Sequence, residues 1–328
     1  MAYLESGAYG CIFTPPLKCS DKTSKKLKYP KNTVSKVFSS DDSFEDEKNI
    51  QKLIDKIDPD HKFTVEYFGS CDVNVDNVKI SNIRDCRHID PSKKTTYKEL
   101  IYSYGGIDLA DVLSKERGNS TKFKSILKSF QPLIEGLKLI INKNYLHVDI
   151  KPENILLHKK RIYLIDFGLM TPINEIYGKE YILTHDYPYY PPEFKYSVYK
   201  DKFVKKFLQN FEFKMLVNTS KINIYKALIE YLDYTIDEQL KDIDNLSKLS
   251  LRDLTLYADK TDIYSIGIVL LLFYIWSGSN SKKKNEKIKD LIKQMIRFDP
   301  QKRISIDDLI KQYTKISANQ NIKAIKTN

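Results

Sequence analysis

Apolar positions recur along the chain with two different periods, and the change falls near residue 105. Before it, β-branched and aromatic residues cluster in short runs: "TVSKVF" at 33–38, "TVEYFGS" at 64–70 and "YKELIYSY" at 97–104. Such runs predict strands. One segment there is helical, from about Phe44 to Ile57, because Glu47, Ile50, Ile54 and Ile57 recur at intervals of 3, 4 and 3 residues and share a face. After residue 105 long helical patterns take over, beginning with "TKFKSILKSFQPLIEGLKLIINKN" at 121–144. The longest apolar run, "IYSIGIVLLLFYIW" at 263–276, has 14 residues. A bilayer crossing needs roughly 18 to 20, so this run predicts a buried core helix and no membrane partner. A small sheet-rich unit with one helix thus precedes a larger helical one, and the glycines of "YGG" at 104–106 permit a hinge.

Composition narrows the function classes. The 328 residues are 41% hydrophobic and 30% charged, which suits folded units with real cores. The net charge of +11 is carried mainly by lysines spread along the chain, so no nucleic-acid partner is expected. Cys11, Cys19, Cys71 and Cys86 form no C-x-x-C pair, which leaves free thiols as the expectation and argues against a zinc ribbon or a disulfide framework. "MAYLESGAYG" has neither the basic start nor the apolar stretch of a signal peptide. A reducing compartment, the cytoplasm, follows as the expected location.

The chemistry lies in "HVDIKPENILLHKKRIYLIDFG", residues 147–168. Phosphoryl transfer needs a carboxylate to orient a hydroxyl, oxygen ligands for magnesium, and a lysine on the nucleotide phosphates. Asp149 and Asn154 lie five residues apart in one loop, and Asp166 follows the strand-like run "IYLI". With "YPPE", "DIYSIG" and "DPQKRIS", the motifs "HVDIKPENILL" and "IDFG" resemble the eukaryotic-type protein kinase superfamily, in the family's order and over nearly the whole chain. The resemblance implies an α+β bilobal protein kinase fold: a small antiparallel β-sheet N-lobe plus one helix, and a larger mainly helical C-lobe. The kinase domain would span 1–316, with an N-lobe at 1–103, a hinge at 104–106, a C-lobe at 107–316 and a polar tail at 317–328.

Residue by residue, the resemblance makes Asp149 the catalytic base and puts Lys151 on the transferred phosphate. Asn154 and Asp166 would hold Mg2+, and His147 would pack under Phe167. For ATP, "LESGAYGCI" resembles the glycine-rich loop, with Leu4, Gly7 and Gly10 in family positions but Glu5 replacing the first glycine. Lys36 would pair with the nucleotide phosphates. Its helix partner is Glu47, since Glu45 lies about 200° around the helix. Adenine would sit between Ile12 and Val34 on one side and Leu156 on the other, with the backbone of Ser103 and Tyr104 at the hinge, Asp108 near the ribose and Tyr102 as gatekeeper.

Glu193 in "YPPE", Arg303 in "DPQKRIS" and Asp262 in "DIYSIG" fill places that small-molecule kinases lack, so protein substrates are expected; "KPEN" is the serine/threonine form. The chain departs from the family at several points. Gln51 stands where an aliphatic residue is usual, Asp186 where threonine is usual, and Val148 where many relatives carry an arginine that pairs with an added phosphate. An insertion with helical stretches fills about 194–261, where it could dock substrates or serve stability. Glu5, Gln51 and Asp186 support the competing class, a pseudokinase or scaffold. "GAYGCIFTPPLKC" resembles kinases of large DNA viruses, which would place the chain in a host cytoplasm or a virion. The sequence leaves the oligomeric state unknown.

Overall fold

The structure, a computed structural model, describes residues 2–7, 10–20, 27–79, 83–115, 120–178, 187–199, 215–217, 220–222, 224–276 and 286–325. The chain divides into two compact units, Met1–Gly106 and Ile107–Asn328.

In the first unit, β1 (Ala2–Ser6), β2 (Gly10–Thr14), β3 (Thr33–Phe38), β4 (Tyr67–Asn74) and β5 (Thr96–Ser103) form one antiparallel sheet, ordered β1-β2-β3-β5-β4. Alternation along the strands gives the sheet two faces. Cys11, Phe13, Val37, Cys71, Val73, Tyr97 and Ile101 build one core. Phe38 and Leu100 build the other with Phe44 of α1 (Asp41–Ile57). Helix α1 starts three residues before the expected Phe44, because the Ser40 side chain accepts the Ser43 amide at 3.2 Å and Asp41 and Asp42 occupy the first turn. Strand β4 starts at Tyr67 and not at Thr64. The Asp58 carboxylate accepts the amides of Lys62, Phe63 and Thr64 at 2.8, 3.0 and 3.0 Å, which folds that stretch into a turn.

The expectation of free thiols is overturned: Cys11 is disulfide-bonded to Cys86, and Cys19 to Cys71. The partners lie 75 and 52 residues apart; Cys19 reaches Cys71 through an isolated bridge to Val73 and Cys86 lies in a turn outside the strands, so no local spacing announces them.

The second unit opens with β6 (Ile107–Asp108) and α2 (Leu109–Lys115). The helical run at 121–144 becomes two helices, α3 (Ser120–Ser129) and α4 (Gln131–Ile141), because Pro132 sits in the first turn of α4 and its ring cannot continue a preceding helix. Short strands β7 (Tyr145–Leu146), β8 (Ile155–His158), β9 (Arg161–Leu164) and β10 (Thr171–Pro172) frame the residues between them. There follow α5 (Pro192–Tyr199), a hairpin of β11 (Met215–Val217) and β12 (Ser220–Ile222), α6 (Ile224–Leu232), α7 (Ile236–Ser247) and α8 (Leu251–Thr255). The insertion therefore carries a hairpin as well as helices. Helices α9 (Thr261–Trp276), α10 (Glu286–Met295) and α11 (Ile306–Ile325) complete the unit. All of α9 except Tyr274 and Ile275 is buried, and no helix among the described residues is long and apolar enough to cross a membrane.

The described part of the insertion is built into this core. Tyr234 is wholly buried and its hydroxyl donates to Asp242 at 2.6 Å. Arg297 donates to both oxygens of the same carboxylate at 2.7 Å, and Lys302 reaches it at 2.8 Å.

Candidate active site

The loop after β7 is fixed before it does any chemistry. Asp262, buried at the start of α9, accepts the backbone amides of His147 at 2.7 Å and Val148 at 3.0 Å. The His147 ring packs edge-on against Phe167 at 4.8 Å, and its Nδ1 accepts the Asp149 amide at 3.2 Å. On this base, Lys151 Nζ donates to Asp149 Oδ2 at 2.8 Å. Asn154 Nδ2 donates to the same oxygen at 2.8 Å and to the Asp149 carbonyl at 2.9 Å. One carboxylate oxygen is thus held by two donors.

The backbone carries Asp166 to this loop: the Ile165 amide donates to the Asn154 carbonyl at 3.0 Å, directly before Asp166. Asp166 itself adopts a left-handed conformation at φ 61. With its nitrogen committed to Asp149, Asn154 has its amide oxygen to offer a cation. That oxygen and the Asp166 carboxylate form a hard-oxygen donor set that fits magnesium. Further on, Glu193 of α5 and Arg303 form a buried two-pronged pair at 2.6 and 2.9 Å.

In the first unit, Lys36 Nζ lies 2.5 Å from Glu47 Oε2, whereas Glu45 pairs with Lys98 at 3.6 Å. Gln51 is buried, and its amide donates to Asp55 one turn on at 2.8 Å, so the polar residue in this helix is satisfied. Ile12 lies opposite Lys36 across β2 and β3, and Val34 opposite Tyr102 across β3 and β5, so all four share one face. Gly10 is a packing necessity: a Cβ there would stand 2.1 Å from the Val37 carbonyl oxygen. At Gly7 a Cβ would meet only ordinary contact. Leu4 is 46% exposed on β1. The Ser103 amide donates to the Glu66 carbonyl at 2.8 Å and the Tyr104 amide to the Asn32 carbonyl at 3.3 Å, so these two amides already have partners. In the second unit, Leu156 pairs with Asp108 across β6 and β8, and Asp108 Oδ1 accepts the Asp111 amide at 2.8 Å at the start of α2.

Sequence reasoning missed two groups. The Tyr187 hydroxyl donates to Asp149 Oδ1 at 3.4 Å, and its ring lies 5.8 Å from Lys151 Nζ. Burial first, then the Asp149 charge, push this phenol well above its ordinary pKa, so it stays protonated as a donor. It stands one residue after Asp186, which lies outside the described residues. In the first unit, Arg87 Nη2 donates to the Gly7 carbonyl at 3.3 Å, and His88 Nε2 lies 2.9 Å from the same oxygen. No motif signals either group, since both depend on loops returning from elsewhere.

Together the sheet-rich and helical units and this loop define a bilobal protein kinase fold. The family model described as "Protein kinase domain" matches residues 33–203, and the chain belongs to that family. It is 25% identical over 250 residues to mitogen-activated protein kinase 6 of Arabidopsis thaliana, covering 72% of this chain and 58% of the relative. It is 40% identical over 99 residues to serine/threonine-protein kinase chk-1 of Caenorhabditis briggsae, covering 29% and 19%. Against the probable serine/threonine-protein kinase MRK1 homolog of Encephalitozoon cuniculi it is 29% identical over 85 residues, covering 26% of each chain. The matches thus span less than two thirds of these relatives' own lengths.

Proposed function

We propose that the chain transfers the γ-phosphate of ATP, with Mg2+, to serine or threonine hydroxyls of protein substrates. The observation that carries this reading is the Asp149 carboxylate, fixed through one oxygen by Lys151 and Asn154. Asp149 would orient the acceptor hydroxyl and receive its proton, and Lys151 would neutralise charge on the transferred phosphoryl group. Lys36, set by Glu47, would hold the nucleotide phosphates. Asn154 and Asp166 would hold magnesium, which when bound neutralises phosphate charge. Names of relatives such as the C. briggsae kinase support serine/threonine acceptors. The apolar setting of Val148 supports activity without phosphorylation of the 169–190 segment. Of the two locations raised by the viral resemblance, the paired cysteines favour the virion.

The test measures phosphate transfer to a generic basic protein with ATP and Mg2+, comparing wild type with Asp149→Ala. The expected result is loss of transfer in the variant with nucleotide-induced thermal stabilisation retained. Equal transfer by both proteins would overturn the reading.

A further inference from the structure

We propose that Cys19–Cys71 is a site of thiol–disulfide exchange with dithiols, in which Glu99 is the built-in proton donor to the departing Cys71 sulfur. The site is compact: one ligand atom each from Cys19, Cys71 and Glu99 lies within 4.8 Å of the others. Cys71 on β4 stands directly opposite Glu99 on β5, and Cys19 is bridged to Val73 two residues further along β4. The two cysteine residues differ in exposure, around a buried cluster of ligand atoms. Cys19 is partly exposed, whereas Cys71 is 5% exposed and Glu99 is fully buried. An incoming thiolate therefore meets Cys19 first and makes Cys71 the leaving group.

The proton can be placed from the geometry. Glu99 Oε1 lies 3.4 Å from Cys71 Sγ, within hydrogen-bond reach of sulfur. A disulfide sulfur carries no hydrogen, so the carboxyl must be the donor and must be protonated. Its surroundings agree. Burial raises the Glu99 pKa to about 8, against smaller opposing effects of the Ser35 hydroxyl and the Leu17 backbone. Tyr29, which feels the Glu99 charge, is itself pushed up by burial and then by Glu99. Lys36 and Lys98, one residue away on β3 and β5, turn to the opposite face and pair with Glu47 and Glu45.

The step balances as follows. A thiolate of the dithiol bonds to Cys19 Sγ, the Cys19–Cys71 bond breaks, and Cys71 Sγ leaves with the electron pair and takes the Glu99 proton. The second thiol of the reductant, once deprotonated, displaces Cys19, which is protonated from solvent. The dithiol departs as its own disulfide, two electrons have passed to the protein, and Glu99 regains a proton from water. Cys11–Cys86 is 0% and 2% exposed at its two residues and is sealed against the same attack.

The experiment exposes the oxidised full chain to glutathione under native conditions at pH 7, quenches by alkylation, and maps adducts by mass spectrometry. The expected adduct is on Cys19. Opening by dithiothreitol should be about ten-fold or more slower in Glu99→Gln than in wild type at the same pH. An adduct on Cys71, opening of Cys11–Cys86 first, or equal rates in a folded Glu99→Gln would overturn the proposal. If that variant does not fold, the wild-type adduct map decides alone.

Discussion

Asp262 holds Val148 in a conformation that valine does not choose for itself. The Asp262 carboxylate accepts the Val148 amide at 3.0 Å, and Val148 sits at φ 70, in the left-handed region that a β-branched side chain avoids. Such strain costs about 1–3 kcal/mol and persists only where the surroundings impose it. The side chain answers the strain with burial, in an apolar cluster with Leu146, Ile176, Phe194 and Ala258. At this position the chain thus offers apolar packing and no charge.

The activation segment should therefore gain little order from phosphate. Within the 169–190 segment, Thr171 is buried with its hydroxyl on the Leu169 carbonyl at 2.9 Å, and the Tyr177 hydroxyl is buried too. Tyr181 and Thr184 lie outside the described residues. Phosphatase treatment of the purified protein is expected to leave transfer to an exogenous substrate within about two-fold. A ten-fold drop, about 1.4 kcal/mol in barrier, that rephosphorylation restores would show that another basic residue binds the phosphate.

The lysine of β3 separates two neighbouring glutamates. Glu47→Gln removes the carboxylate 2.5 Å from Lys36 and is expected to lower phosphate transfer by about ten-fold or more. Glu45→Gln breaks only the exposed 3.6 Å pair with Lys98, worth about 1 kcal/mol or less in stability, and should leave the rate unchanged. Parallel steady-state kinetics on the two variants distinguish the assignments.

How far the sequence reveals this molecule depends on the range of the interaction. Glu47 is legible because the positions one helix face presents follow from a period of 3.6. The catalytic loop is legible because Asp149, Lys151 and Asn154 contact one another within six residues. The break at Phe130 could have been read from Pro132 alone. The disulfides could not, because each joins a strand cysteine to one on a distant connecting segment, 75 and 52 residues away, and spacing alone carries no trace of it. The same holds for Tyr187 on Asp149 and for Arg87 and His88 on Gly7, each delivered by a loop whose path tertiary packing decides.

Stability of the sheet unit should depend on pH through Glu99. Its pKa is raised by burial from 4.5 to about 8. Below pH 4.5 the carboxyl is protonated whether the unit is folded or not. Above that value the unfolded chain ionises while the folded unit keeps its proton, so stability falls as pH rises and levels off beyond about 8. The expected loss is on the order of a few kcal/mol. Thermal unfolding of wild type and Glu99→Gln from pH 5 to pH 9 measures it: the wild-type decline should flatten in the variant, and identical slopes would contradict the assignment.

The insertion between Glu193 and Asp262 invites a docking role, but its described part has a different physical character. Asp242 is fully buried and is held by Arg297, Lys302 and Tyr234, two of which come from beyond α10. The Tyr196 hydroxyl on α5 lies 2.9 and 2.7 Å from the carbonyl oxygens of Ser247 and Leu249 and donates its one hydrogen between them, which ties the far end of α7 to the segment after "YPPE". Removing the Asp242 carboxylate leaves the buried Tyr234 hydroxyl without its acceptor and Arg297 and Lys302, which keep 18% and 37% side-chain exposure, without their anion, at a cost of about 1–3 kcal/mol. That is a large share of a typical domain's stability. Asp242→Ala should therefore lower the unfolding free energy by that amount in urea titration, and deletion of 224–256 should abolish soluble expression, taking peptide and protein phosphorylation away together. A deletion variant that stays folded and still phosphorylates a short peptide, while failing on a protein substrate, would return the insertion to a docking role.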